Sequence, residues 1–183
     1  MLRVDQLRVS LTRIFSRTRG VGSIEQGKRL LTLAYHDYAL RAEDVSGDVV
    51  LDLDYNDFLE ELRFPAEGSG RQTAEILDRA FRAYWIGTHF ALNRLTAGTT
   101  PCPNVGGTGV FASETISQVV EVREGVLRDE LLPLFQVPGI SARTQAQRFA
   151  AAMDRATKTA ITVRIQGLDT TPGLPIVNLC TVF

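Results

Sequence analysis

One stretch constrains this chain more than any other: RQTAEILDRAFRAYWIGTHFALNRL, from Arg71 to Leu95. Leu77, Ala80, Phe81, Tyr84, Thr88, Ala91, Leu92 and Leu95 recur at steps of three and four, which puts them on one face of a helix. Glu75, Asp78, Arg79, Arg82 and Arg94 fall on the opposite face. The expectation is one long scaffold helix over 71–95. Trp85 and His89 stand four apart on it and so can touch. His89 then reads as a packed, hydrogen-bonded core residue beside aromatics.

A scaffold of that kind needs a core to sit in. With 183 residues and 44% hydrophobic content the chain, 1–183, suits a single domain. Its net charge of −1 argues against a globally basic nucleic-acid binder. Among the 20 basic residues only Lys28 and Lys158 are lysine. That bias is either a habit of the source genome or a preference for the planar guanidinium at interfaces. Cys102 and Cys180 have no metal spacing, so neither a disulfide framework nor a cysteine zinc site is expected. Two histidines are too few for a His-rich metal site. No apolar run approaches the roughly 20 residues of a membrane span, so no membrane partner is expected. The first twenty residues have the Arg-rich look of a transit peptide, but Met1 argues against a cleaved leader.

Val4, Leu7, Leu11, Ile14 and Phe15 predict an amphipathic first helix, with Arg3, Arg8, Arg13 and Arg17 around it. Its plain reading is a solvated basic face; the functional one is docking to an acidic partner or nucleic acid. Ser23-x-x-Gln26 is a capping box that starts a second helix. Residues 22–28 nearly match a P-loop, but Arg29 stands where a Ser or Thr should hold magnesium and no strand precedes. Val49–Asp54 alternates, predicting a short strand near residue 50. Asp52, Asp54, Asn56 and Asp57 resemble the start of an EF-hand loop. Asp57 replaces the required Gly and Arg63 the required Glu, so Asn56 or Asp57 is read as the cap of a short helix, Phe58–Arg63.

Residues 97–111 form a Gly- and Pro-rich arm or loop. Gly107-Thr-Gly109-Val-Phe-Ala112 fits a dinucleotide fingerprint but lacks the preceding strand. After Ala112, a helix capped near Ser113 competes with a strand at Ile116–Val122. Pro133 and Pro138-Gly139 close that segment. Ser141 caps another helix, whose narrow face is Ala146, Phe149, Ala150, Met153 and Ala156. Residues 161–183 read as a C-terminal β-hairpin, with Ile161, Val163 and Ile165 alternating before a Thr-Pro-Gly turn. The fold class is α+β, mainly α: a helical bundle of about five helices, the short strand and the hairpin.

The segment AAAMDRATKTAITVRIQGLDTTPGLPIVN, within residues 139–183, resembles small virion proteins of tailed bacteriophages, of the neck or head-to-tail connector kind. The resemblance is one of layout: an Ala- and Thr-rich helix running straight into a Thr/Val strand, a turn and an apolar end. It implies a non-enzymatic structural subunit of the virion, made in the bacterial host cytoplasm. The subunit would form a homo-oligomeric ring between portal or connector proteins and tail proteins, near passing DNA. On this reading the arm and hairpin reach neighbouring copies, with Phe111, Ile176, Val177, Leu179 and Phe183 as interface anchors. Arg3, Arg8, Arg13 and Arg17 would meet partner acids or DNA. No catalytic, cofactor or metal residue is assigned. The alternative is a small ligand- or anion-binding domain, enzymatic or not. It would use the GGTG loop and the N-terminus of the helix expected to follow it, with His89 and the Asp52–Asp57 cluster as polar candidates. A third reading is a nucleic-acid-associated helical adaptor.

Overall fold

Ser69 opens the central helix of the computed structural model, which describes residues 2–16, 23–44, 47–65, 67–92, 111–137, 139–169 and 175–183. The Ser69 hydroxyl accepts from Gln72 N–H, and the Gln72 side chain accepts from Ser69 N–H, a reciprocal capping box. Among the described residues there are six helices: α1 (Val4–Ser16), α2 (Ile24–Ala39), α3 (Tyr55–Glu61), α4 (Gly70–Trp85), α5 (Val126–Gln136) and α6 (Ala142–Ala160). Three strands, β1 (Phe111–Val122), β2 (Ile161–Asp169) and β3 (Pro175–Cys180), form one antiparallel sheet in the order β1-β2-β3. Among the described residues the fold is therefore α+β and mainly α.

The central helix is shorter than its periodicity predicts. It stops at Trp85, Ile86 turns to extended backbone, and Gly87 takes a φ of +82, a left-handed conformation that suits glycine. Beyond it the chain is claimed by backbone partners on both sides. Gly87 N–H and Phe90 N–H donate to the Val119 and Ser117 carbonyls, and Val119 N–H returns to Thr88. On the other side Leu51 N–H donates to the His89 carbonyl and Ala91 N–H to that of Val49. Residues 87–91 are thus an extended splint between the 49–51 segment and β1. The expected strand near residue 50 reduces to isolated bridges, Glu43 with Val49 and Val50 with Phe90. Its alternation fails where Val50 and Leu53, three apart, are the buried positions.

Of the two readings of the segment after Ala112, the strand is the one formed. β1 pairs Val119 with Val163 and Val122 with Ile161, and shifts register three times along its length. Gly125 at φ +80 ends the excursion and starts α5. Pro133 does not close α5 but lies inside it. Having no N–H, it leaves the Asp129 carbonyl without its helical donor, and the helix still runs to Gln136. Asp54, and neither Asn56 nor Asp57, caps the short helix: its carboxylate accepts from Asn56 N–H at 2.7 Å.

One apolar core joins these parts. Leu7 and Leu11 of α1 are buried against α6 and α2, and Phe15 meets Phe149 edge-on at 5.8 Å. Ala146, Phe149, Ala150, Met153 and Ala156 are all buried, as the narrow face of α6 predicts. Small alanines there let α1 come close. The sheet adds Val119, Ile161, Val163 and Ile165, then Cys180 and Val182 after the turn. Cys180 is disulfide-bonded, contrary to the expectation of a chain without such links. Cys102, the other cysteine of the sequence, lies outside the described residues.

Candidate functional site

The hairpin puts a row of apolar side chains where solvent reaches them. In β3 and its extension the side chains alternate, so Cys180 and Val182 point into the core while Val177, Leu179 and Phe183 point away. Those three are 53%, 43% and 49% exposed. Val177 stands opposite Gln166 and Leu179 opposite Arg164, and β3 is the edge strand of the sheet among the described residues. Phe183 is held by two backbone hydrogen bonds with Glu43, at 2.9 and 3.2 Å. The Phe183 backbone is therefore pinned on the chain's own body. Of the expected anchors, Ile176 lies in β3 opposite Gly167, and Phe111 opens β1 at the far side of the sheet. Residues 97–110 of the expected arm lie outside the described residues.

Arg3, Arg8 and Arg13 are exposed at α1, and Arg17 lies outside the described residues. Arg8 is paired with Asp5 at 3.0 Å, one helical turn away. Arg13 approaches a groove between α1 and α6, whose other wall carries Arg143 and Gln147. Sequence periodicity, which treats one helix at a time, had no means of finding Arg143 there.

The polar candidates of the ligand-binding reading sit apart from one another. His89 is not on the central helix and not packed in the core. It is half-exposed, its Nδ1 2.8 Å from Asp52 Oδ2, while its backbone N–H donates to Asp52 Oδ1 at 2.6 Å. Both oxygens of Asp52 are thereby spent on one residue. The Asp57 carboxyl is held above its ordinary range, first by desolvation and then by its neighbours Asp54 and Glu60. Among the described residues no group of three or more potential metal ligands is gathered. The GGTG loop lies outside the described residues, and Phe111 begins a strand where the anion-binding reading expects a helix N-terminus.

A polar cluster that sequence reasoning missed runs through the core. Trp85 Nε1 donates to the Tyr35 hydroxyl at 2.7 Å, and Tyr35 and Thr157 share a 2.8 Å hydrogen bond. Thr157 Oγ1 in turn donates to the Met153 carbonyl. The hydroxyl of Thr157 has one proton, so Tyr35 must be the donor in their bond. Three donors thus form one chain with a single direction, indole to phenol to hydroxyl to carbonyl. Beside it the Tyr38 hydroxyl donates to Asp154 at 2.6 Å, and His36 Nδ1 meets the Tyr84 hydroxyl at 2.7 Å. Burial pushes all three tyrosines well above the usual phenol range, so they keep their protons. Such groups hold the helices together and are poor acids or bases. No helix among the described residues is long and apolar enough to cross a membrane. Comparison with protein-family models, curated proteins and solved structures finds no match to this chain.

Proposed function

We propose that the chain is a non-enzymatic structural subunit that assembles with copies of itself through its C-terminal hairpin. The observation that carries this is the row of Val177 and Leu179 on edge strand β3 and Phe183 in its extension, all exposed while Cys180 and Val182 are buried on the other face. Three side chains of that kind offer about 1.5–3 kcal/mol each when fully buried, and an edge strand adds backbone hydrogen bonds to a neighbour. A neck or head-to-tail connector ring of a tailed-phage virion, touching portal and tail proteins, is the setting that the resemblance of residues 139–183 supplies. The ligand-binding alternative is weaker, because a strand stands where its anion-binding helix end was needed.

The test is the mass of the chain in solution, by light scattering. A closed species of many copies is expected, reduced by Val177→Lys with Leu179→Lys to the 20.2 kDa monomer. Both positions are exposed, so the helical circular dichroism should not change. Removing residues 176–183 is a poorer test, since it also takes away buried Cys180 and Val182 and the bonds to Glu43. A wild-type chain that stays monomeric, or a double variant that assembles normally, would overturn the proposal.

A further inference from the structure

Several of the chain's arginines are paired within the fold. Arg71, Arg79, Arg82, Arg128 and Arg155 each meet a carboxylate, at Glu75, Glu61, Asp78, Asp129 and Glu130 respectively. Arg13 and Arg143 meet none among the described residues, yet they face one groove. It lies between α1 and α6, has a volume of about 370 Å³, and is lined by Arg8, Val9, Thr12, Arg13, Arg143 and Gln147. Arg8, Val9, Thr12 and Arg13 line it from α1, and the i, i+4 pair Arg143 and Gln147 from α6. No carboxylate among the described residues lines it. Asp5, the one partner of Arg8, lines the separate groove between α1 and α2. The groove between α5 and α6 provides the contrast: Asp129 and Glu130 line it together with Arg148 and Arg155, and Glu130 pairs with Arg155.

Arg13 and Arg143, with no counter-charge among the described residues, share this groove with Arg8, whose charge Asp5 offsets in part, and an anion outside the chain would relieve the like-charge repulsion. We infer that the α1–α6 groove binds the phosphate backbone of a nucleic acid. Guanidinium forks match phosphate oxygens two at a time, and Gln147 and Thr12 add neutral hydrogen-bonding groups. The walls are helices of 13 and 19 residues, roughly 20 and 28 Å long. They make an open trough, which suits a polymer better than a single small ion. With its guanidinium groups engaged by phosphate, the groove makes positioning contacts that carry no sequence information, so binding should be indifferent to sequence. The inference does not depend on assembly through β3, which uses other residues.

The experiment is fluorescence anisotropy of the full chain with short labelled duplex and single-stranded DNA across a salt series. Three phosphate contacts correspond to a log–log salt slope of about −2.7 for duplex, roughly a 40-fold loss between about 50 and about 200 mM. Arg13→Glu with Arg143→Glu should weaken binding by about 100-fold or more and flatten the slope to about −0.9. The pair Arg13→Gln with Arg143→Gln serves if charge reversal disturbs folding, and Arg71→Glu, far along another helix, should bind as the wild type. Absence of binding at low salt, or undiminished binding by the double variant, would overturn the inference. So would competition by inorganic phosphate at equal phosphate concentration, which would mark a small-anion site. Equal affinity for polyglutamate would do the same, since it would mark a surface for acidic protein.

Discussion

The carboxylate of Asp78, on α4, holds the first turn of α5 at Gly125. Its Oδ2 accepts from Gly125 N–H at 3.0 Å, and Oδ1 accepts from Leu127 and Arg128 N–H at 3.2 and 3.3 Å. Gly125 is the N-cap residue of α5 and has no side chain to do this itself. A helix start leaves backbone donors unpaired and carries partial positive charge, so a buried carboxylate is a fitting partner. Arg82, with Nε 3.2 Å from the same oxygen as Gly125, balances the charge. α4 and α5 are thus joined by a cap that one helix lends the other.

Asp78→Ala should therefore lower stability by about 2–4 kcal/mol, since three N–H groups lose their acceptor in a buried place. Asp78→Asn keeps one acceptor oxygen and should cost roughly half as much. Urea unfolding followed by circular dichroism measures both. Equal, small losses in the two variants would show that the cap contributes little.

Tyr35 is the middle link of the indole-to-carbonyl relay, so Tyr35→Phe leaves the Trp85 N–H without an acceptor. The expected cost is about 1–3 kcal/mol, with no loss of helix content. Trp85 is the only tryptophan and is fully buried, so its emission reports the core directly. The native spectrum should stay blue-shifted in the variant while the unfolding midpoint falls. Thr157→Val, which strands the Tyr35 donor instead, should fall by a similar amount. The double variant should lose less than the sum, because the two share one network.

These contacts mark where sequence reasoning stops. α1, α6 and the hairpin are legible because each repeats one period without conflict, 3.6 in Leu7 and Leu11, 2 in Ile161, Val163 and Ile165. The end of α4 is not, because Thr88 and Ala91 continue the helical rhythm while Gly87 and the partners on either side impose extended backbone. Ile116–Val122 carries both patterns, and pairing with β2 decides between them. Ser23-x-x-Gln26 is legible as a helix start, and the Ser23 hydroxyl accepts from Gln26 N–H. The Asp78 cap was not, because its partners lie 47 or more positions away. Val177, Leu179 and Phe183 are legible as an apolar end, but their outward direction follows from register alone. Arg143 joins Arg8 and Arg13 only once α6 lies on α1.

Cys180 is buried and disulfide-bonded. Thiol titration of the unreduced chain in denaturant should then find no free cysteine, and reduction should release both. Cys180→Ala should destabilise the chain by about 2–4 kcal/mol relative to the oxidised wild type. Against the reduced wild type it should differ by about 1 kcal/mol or less, since only a small side chain is lost. A full complement of thiols before reduction would refute the link.

The pair His36 and Tyr84 gives the chain a dependence on pH. Burial pushes the Tyr84 phenol up, so its O–H persists and donates to Nδ1 of a neutral His36. Burial also lowers the pKa of His36 from its ordinary 6.5, against the opposing pull of Asp37 and Asp54. Below 6.5 the unfolded chain takes up a proton that the native imidazole resists, so stability from this pair is present above 6.5 and is lost as pH falls through the native value. Asp57 acts in the opposite sense and in a more acid range, since its carboxyl is raised from 3.8 and favours the native state at low pH. The denaturation midpoint should accordingly be flat between about pH 8 and about pH 7, then fall towards about pH 5. His36→Asn isolates the cause. The asparagine Oδ1 stands where Nδ1 does and can accept from Tyr84, but does not titrate. The variant should lose the part of the slope that lies just below 6.5 and keep the acid limb due to carboxylates. An unchanged slope in His36→Asn would place the dependence elsewhere and remove this pair from the account.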